Sequence, residues 1–227
     1  MALPKTMKAW AATRMGEPRV GLTLQTDRPV PGPPTGADLL VKVSYAALNP
    51  ADAVFMGIIP TILPFRWQPI IGLDFSGTVV AAGPDASPAD VSEPGTKVCG
   101  TLAISLVAIG RGTLAEYVLV PASLVAPCPK AMSLAASSGL GVVGQTVFIA
   151  VREAGIKEGD RVLVNGASGG LGTTFVQVCK KYGATVVGVC SEANSELVKK
   201  LGADEVSFTL FLSLYQILMS EYQDGRL

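Results

Sequence analysis

The stretch RVLVNGASGGLG, residues 161–172, decides the fold of the second half of the chain. An apolar, strand-like run precedes the glycines, and a helix-like run follows them as far as Tyr182. This order is typical of a dinucleotide-binding turn, because glycines let the backbone approach the phosphates and the helix N-terminus offers free N–H groups. A glycine pattern alone could be a structural turn, but its place between strand and helix favours a nicotinamide cofactor.

A second strand and a second helix are predicted at residues 185–190 and 194–201. The resulting βαβα order predicts a parallel sheet with a right-handed crossover. On the first helix, Leu171, Phe175 and Val178 recur at helical spacing and are predicted to form its apolar face. The second half of the chain is therefore predicted to be an α/β domain of the Rossmann type.

The first 130 residues consist of short, strand-like runs separated by glycine and proline. Strands are predicted at residues 38–48, 74–82, 96–100 and 113–120. Many short strands at close spacing indicate a small β-barrel or sandwich. After a helix-like run at 133–154, the chain enters the glycine turn, so we place the domain boundary near residue 130.

The charge balance argues against two classes of partner. Lysine plus arginine number 18 and aspartate plus glutamate number 18, which gives no reason to expect nucleic acid or an anionic membrane. We identify no apolar run of about 18–20 residues that would span a bilayer, and no signal-type segment. The sequence therefore predicts a soluble, cytoplasmic protein without membrane association.

Histidine is absent and the four cysteines lack metal-type spacing. A Ser-His-Asp hydrolase is excluded because the chain has no histidine for it. The cysteines are read as buried, reduced thiols, and no disulfide framework is indicated.

The choice between NAD and NADP depends on the end of the second strand. An NAD site usually has an acidic residue about 20 positions after the glycines, where it binds the ribose 2′-hydroxyl. This chain has Ser191 there, which would not repel a 2′-phosphate and could donate a hydrogen bond to it. The next residue, Glu192, could favour NAD, but Ser191 favours NADPH.

Several ordered motifs resemble the medium-chain dehydrogenase/reductase superfamily, in its zinc-independent quinone oxidoreductase and enoyl reductase branch. They are NPAD at 49–52, GLDFSGTV at 72–79, GTLAEY at 112–117, GQT at 144–146 and the glycine turn. The segment CSEAN at 190–194 resembles a motif common in fungal polyketide trans-acting enoyl reductases. The resemblance runs from about residue 7 to about residue 206.

The resemblance implies a GroES-like β-barrel domain at residues 1–130, a partial Rossmann domain at 131–206 and NADP as cofactor. Two residues are implied at the nicotinamide end: Asn49 and Thr146. Five residues of the turn are implied at the pyrophosphate: Ser168, Gly169, Gly170, Leu171 and Gly172. Two residues beyond the second strand are implied at the 2′-phosphate: Ser191 and Asn194.

The resemblance also bears on metal and chemistry. Zinc-dependent members have cysteine at the position of Asn49 and histidine at the position of Leu73, so we expect no metal. Without a Lewis acid, the chemistry expected is hydride transfer from NADPH to a quinone or to the activated C=C bond of an enone or enoyl thioester. Family members often have a tyrosine where this chain has Val54, and Tyr45 is read as a core residue, so no catalytic acid is assigned.

The expected substrate is a small, hydrophobic quinone or conjugated carbonyl compound, and a polyketide synthase is the candidate protein partner. A variable, apolar loop at residues 58–67 is expected near the substrate.

After Val206 the resemblance stops, and residues 207–227 read as a divergent tail. A Rossmann sheet has about six strands, so we expect a truncated, marginally stable chain that is weakly active or inactive. The alternative is a non-catalytic fragment with weak or no cofactor binding. A homodimer is possible in full-length relatives and is doubtful for this chain.

Overall fold

The computed structural model describes residues 3–14, 16–62 and 68–208, and of residues 58–62 the backbone alone. The chain forms two compact units, Met1–Val142 and a second that begins at Val143. The predicted fold class is confirmed: antiparallel β-structure precedes a parallel α/β unit.

The first unit contains two antiparallel sheets. Strands β1 (Thr6–Ala12) and β2 (Leu22–Pro29) pair with each other, with the short helix α1 (Pro18–Gly21) between them. The five-stranded sheet has the order β6-β3-β4-β5-β7. Its strands are β3 (Asp38–Ala47), β4 (Asp74–Ala82), β5 (Lys97–Thr101), β6 (Tyr117–Pro121) and β7 (Val125–Pro127).

The helices of the first unit lie between these strands. They are α2 (Pro50–Ile62), α3 (Ala89–Ser92), α4 (Ile104–Ala108) and α5 (Leu134–Ser137), with 3-10 turns at Ala122–Leu124 and Ser138–Leu140. The main core contains apolar residues of the large sheet, among them Leu39, Val41, Phe75, Val98 and Val118. These residues are fully or almost fully buried, and the burial of their apolar side chains stabilises the sheet.

Helix α6 (Gly141–Glu153) begins in the first unit and continues into the second. The residues between the predicted boundary at 130 and the observed division after Val142 contact the large sheet. The hydroxyl of Ser76 donates to the carbonyl of Leu134 at 2.6 Å, and the backbone N–H of Val142 donates to Asp74. These tertiary hydrogen bonds place α5 with the β-unit.

The second unit contains a three-stranded parallel sheet of order β10-β9-β8. Its strands are β8 (Arg161–Asn165), β9 (Thr185–Cys190) and β10 (Glu205–Phe208). Helix α7 (Gly170–Lys181) follows β8, and α8 (Ser195–Lys200) follows β9 after a 3-10 turn at Glu192–Asn194. Strand β10 extends two residues into the predicted tail, whose remaining residues, 209–227, lie outside the described part.

The apolar face predicted for α7 was shifted by one residue. The buried residues are Gly172, Val176 and Cys179, whereas Leu171 is 42% exposed. Phe175 and Val178 are partly buried and pack against the same core. The face turns because Gly172, which has no side chain, is the residue that contacts the turn after β8.

One sequence-based expectation is wrong, namely that the chain has no apolar segment long enough to span a bilayer. Within the described residues, the helical run Leu134–Glu153 is long and apolar enough to cross a bilayer, with a mean hydropathy of 1.7. Its apolar residues are interspersed with serine, glycine and threonine, so no uninterrupted apolar run is visible in the sequence. Core helices of soluble proteins meet the same criterion, so length and composition alone do not assign a membrane span.

Candidate dinucleotide site and the Asn49–Asp74 pair

The glycine turn brings strand β8 and helix α7 into close contact. Gly166 has φ +72°, a conformation that favours glycine. The N–H of Ala167 donates to the Val189 carbonyl at 2.9 Å, which ties the turn to β9. A Cβ on Gly172 would lie 2.1 Å from the Gly166 carbonyl oxygen, so only glycine fits there. The turn therefore has the compact form that its sequence predicts.

The N-terminus of α7 is open to a ligand. Gly169 is the N-cap and supplies no capping side chain, and no acidic residue lies in the first turn. A Cβ on Gly170 would meet no atom within 4 Å, so space is available above the first turn. Because a 12-residue helix presents free N–H groups and positive dipole at this end, the turn is suited to an anion such as a pyrophosphate.

Three predicted site residues come together beside this turn. The Asn194 Nδ2 donates to the hydroxyl oxygens of Ser191 at 3.0 Å and Ser168 at 3.3 Å. The N–H of Asn194 also donates to the Ser191 carbonyl at 2.9 Å, which closes the 3-10 turn after β9. Because each serine oxygen accepts from Asn194, each hydroxyl hydrogen is available to an anionic ligand.

Charged residues near this cluster are solvent-exposed. Glu192 is exposed at the start of the 3-10 turn. Lys199 pairs with Glu196 at 3.7 Å on the exposed side of α8. The cluster of Ser168, Ser191 and Asn194 is therefore built from neutral donors.

Asn49 and two buried aspartates form a second polar cluster, in the first unit. The side-chain Nδ2 of Asn49 donates to Asp74 Oδ2 at 3.0 Å, and its backbone N–H donates to Asp52 Oδ2 at 2.7 Å. Asp74 and Asp52 are 1% and 3% exposed. Asn49 precedes α2, so the Asp52 carboxylate caps the entry to that helix.

Burial raises the pKa of the Asp52 carboxyl above its usual value, and the nearby Asp74 charge adds to the rise. The backbone N–H groups of Asn49 and Leu73 act in the opposite direction. Oδ1 of Asp52 is buried and, among the described residues, has no hydrogen bond of standard geometry.

Asp74 is the centre of this cluster. Both of its side-chain oxygens accept from the N–H of Val142, at 2.9 and 3.1 Å, and its backbone carbonyl accepts from the buried Thr113 hydroxyl at 3.1 Å. A Cβ on Gly141 would lie 2.2 Å from Asp74 Oδ1. The sequence motif containing Asp74 was recognised, but no role was assigned to that residue because its partners lie far away in the chain.

The other predicted residues are placed as follows. Thr146 is exposed on α6 in the second unit, whereas Asn49 is half-buried in the first. Tyr45, read as a core residue, is 51% exposed, because the pairing of β3 with β4 shifts in register between Val43 and Tyr45. Val54 is 55% exposed, and no proton donor is assigned.

Two further expectations concern a loop and a metal. The predicted loop at 58–67 is helical as far as Ile62, and residues 63–67 lie outside the described part. Within the part of the chain that the structure describes, no group of three or more histidine, cysteine or acidic residues could hold a metal.

The Cys99 thiol is buried. Burial is the main cause that raises its pKa to about 12, and the neighbouring Cys128 adds to the rise, so Cys99 is a poor nucleophile.

The comparisons with known proteins match this architecture. The alcohol dehydrogenase GroES-like domain matches residues 35–130. The medium chain reductase pydE of Acremonium sp is 36% identical, with 97% of this chain and 66% of that protein covered. The trans-enoyl reductase pgmF of Aspergillus terreus is 34% identical, with coverage of 90% and 59%.

Solved structures show the same fold. A quinone oxidoreductase from Coxiella burnetii has a TM-score of 0.76 and 29% identity, with 88% of this chain and 62% of that chain covered. A mycobacterial protein complexed with NADPH has a TM-score of 0.76 and 26% identity, with coverage of 97% and 63%. The chain therefore spans about 59–66% of the length of these four relatives.

Proposed function

Since the chain belongs to the medium-chain dehydrogenase/reductase superfamily, we propose that it is an oxidoreductase that uses NADPH, without zinc, to reduce a quinone or an activated C=C bond. The observation that carries the proposal is the cluster of Ser168, Ser191 and Asn194 beside the open N-terminus of α7. Neutral donors at the end of β9 suit a 2′-phosphate, whereas an acidic side chain there would repel it.

The residues divide into binding roles. The N–H groups of the turn and of the first turn of α7 would hold the pyrophosphate, and Gly170 leaves room for its close approach. The serine hydroxyls and Asn194 would hold the 2′-phosphate through hydrogen bonds. When bound, NADPH supplies a hydride for the β-carbon of an enone or enoyl thioester, or for a quinone.

Three observations support the substrate class and the absence of zinc. The relatives are named medium chain reductase, trans-enoyl reductase and quinone oxidoreductase. Positions 49 and 73, which carry zinc ligands in zinc-dependent members, hold asparagine and leucine. For an enoyl thioester, the proposed carrier is a polyketide synthase, as the CSEAN segment at 190–194 suggests.

A charge substitution at Ser191 tests the proposal. We expect Ser191→Asp to weaken NADPH binding about tenfold or more, because a carboxylate would oppose the 2′-phosphate. NADH affinity should rise or stay unchanged. Fluorescence titration with both dinucleotides measures this, and Ser44→Asp, on an exposed strand residue of the first unit, is the matched control.

Two results would contradict the proposal. Failure of the wild-type protein to bind either dinucleotide would favour the alternative of a non-catalytic fragment. Equal affinity of wild type and Ser191→Asp for NADPH would remove the 2′-phosphate assignment. Turnover with an enone, an enoyl thioester and a quinone, followed by NADPH absorbance, then separates the substrate classes.

A further inference from the structure

The hydrogen bonds of Asp74 determine which way the Asn49 amide points. Asp74 is 1% exposed, and both its oxygens accept from the Val142 N–H. Oδ2 also faces the Asn49 side chain at 3.0 Å. Since the carboxylate only accepts, the Asn49 group that faces it must be the NH₂.

The rest of Asn49 is also constrained. Its backbone N–H is held by Asp52 at 2.7 Å, and its carbonyl accepts from the Asp52 N–H at 3.0 Å. With Nδ2 turned to Asp74, the side-chain Oδ1 points away from the carboxylate. Among the described residues, no donor reaches this oxygen, and Asn49 is only half-buried. The first unit therefore offers a fixed acceptor at Asn49, the residue that the family resemblance implies at the nicotinamide end.

We propose that Asp74 is a positioning residue, which locks the Asn49 amide so that its Oδ1 accepts a hydrogen bond from the nicotinamide end of the cofactor. The chemistry required of the ligand is a hydrogen-bond donor, supplied by the carboxamide NH₂ or by a ribose hydroxyl. This inference rests on the proposed function for its ligand, whereas the amide orientation rests on this cluster alone.

The Asp74→Asn variant reverses the polarity of the pair. Its new amide can accept from the Val142 N–H only through its oxygen, so its NH₂ faces Asn49. The Asn49 amide must then turn its oxygen towards the new amide at position 74 and present its NH₂ to the ligand. Two hydrogen-bond donors then face each other, so no hydrogen bond forms with the ligand. We expect NADP⁺ to bind about tenfold more weakly, the loss typical of one hydrogen bond left unmade.

The exchanged pair, Asn49→Asp with Asp74→Asn, restores the polarity. The carboxylate at position 49 accepts from the amide at position 74 and offers its second oxygen to the ligand. We expect this double variant to recover most of the affinity lost in Asp74→Asn. The matched control is Asp85→Asn, the same chemical change at an exposed carboxylate of the same unit, which should leave the affinity unchanged.

The experiment combines NADP⁺ titration with NMR of the Asn49 side-chain amide in the free protein. Asp74→Asn should move the Asn49 NH₂ signals and Asp85→Asn should not. The proposal is overturned if Asp74→Asn binds NADP⁺ like wild type, or if the exchanged pair binds no better than Asp74→Asn. If Asp74→Asn does not fold, the single Asn49→Asp variant replaces it: two facing carboxylates should weaken binding, and the exchanged pair should restore it.

A cofactor analogue identifies the donor. In 3-acetylpyridine adenine dinucleotide phosphate, a methyl group replaces the carboxamide NH₂. A variant effect that disappears with this analogue assigns the NH₂, and an effect that persists assigns a ribose hydroxyl; either outcome supports the proposal. Absence of any NADP⁺ binding by wild type defeats the proposed function, whereas unchanged Asn49 NMR signals in Asp74→Asn defeat the positioning role alone.

Discussion

Gly170 and Gly172 lie in the same helical turn, but a side chain would meet different surroundings at each. At Gly172 a Cβ would lie 2.1 Å from the Gly166 carbonyl oxygen, and at Gly170 it would meet no atom within 4 Å. We expect Gly172→Ala to lower the free energy of unfolding by about 1–3 kcal/mol, because backbone must move to admit the methyl group. Gly170→Ala should keep wild-type stability or exceed it, since alanine favours helix.

The same pair separates packing from binding. If the pyrophosphate approaches α7 over Gly170, Gly170→Ala should weaken NADPH binding although the protein folds normally. Urea unfolding and NADPH titration of both variants measure the two effects. Equal losses of stability in the two variants would contradict the packing role of Gly172, and unchanged NADPH affinity of Gly170→Ala would contradict the approach of the pyrophosphate at this position.

The buried carboxyl of Asp52 gives a pH-dependent contribution to stability. Its pKa is raised in the folded protein, chiefly by burial, above the unfolded value of 3.8. Its favourable contribution is therefore fully present below the unfolded pKa and is lost as the pH rises through the folded pKa. We expect Asp52→Asn, which keeps an acceptor for the Asn49 N–H, to gain stability relative to wild type as the pH rises from about 3.5 to about 7.

Asp204 provides the control of opposite sign. The Lys180 ammonium and the Val186 N–H lower the pKa of this carboxyl, so its contribution is present above the unfolded pKa and lost as the pH falls. Urea unfolding over the same pH range should show the stability difference from wild type changing in opposite directions for Asp52→Asn and Asp204→Asn. Parallel changes would contradict the assigned signs.

Among the elements, helix α6 depends on a glycine at its first residue. A Cβ on Gly141 would lie 2.2 Å from Asp74 Oδ1 and 2.9 Å from the Gly100 carbonyl oxygen. We expect Gly141→Ala to push the Asp74 carboxylate off the Val142 N–H and to cost about 1–3 kcal/mol. Gly139, in the preceding 3-10 turn, has open space around it, so Gly139→Ala should be close to neutral.

Thermal unfolding of the two variants measures this difference. If Gly139→Ala destabilises the protein as much as Gly141→Ala, the loss comes from helix formation in general. The Asp74 contact would then not account for it.

Elements whose sequence pattern is decided locally could be predicted. Strands β4 and β9 were predicted with their observed bounds, because the strand-like character of each sequence ends sharply at its last residue. The three-residue strand β7 was not predicted, since it is held only by pairing with β5. Tyr45 was predicted to be a core residue but is exposed, because a register shift in β3 breaks the simple alternation of buried and exposed side chains.

The candidate site divides in the same way. The cluster of Ser168, Ser191 and Asn194 follows from motifs around a βαβ unit, in which the carboxyl ends of neighbouring strands meet. The pairing of Asn49 with Asp74 is a tertiary contact across 25 residues, as is the link from Asp74 to Val142 across 68. No local pattern predicts such contacts. The sequence motif therefore contains Asp74 but does not indicate that Asp74 binds Asn49 and Val142.

At the scale of the whole molecule, each unit has its own hydrophobic core. Phe75 belongs to the core of the first unit and Val186 to that of the second, and both are fully buried. We expect Phe75→Ala to cost about 3–5 kcal/mol and Val186→Ala about 2 kcal/mol, because each leaves a cavity in a packed core. If each core defines its own cooperative unit, each substitution should raise amide hydrogen exchange mainly in its own sheet.

Hydrogen exchange followed by mass spectrometry measures this directly. Phe75→Ala should speed exchange in β3, β4 and β5, while the amides of β8 and β9 keep their wild-type rates. Val186→Ala should produce the reverse pattern. Equal acceleration of both sheets by either substitution would mean that the molecule unfolds as one cooperative unit, in which case the stability losses at Gly141 and Gly172 should also appear in both sheets together.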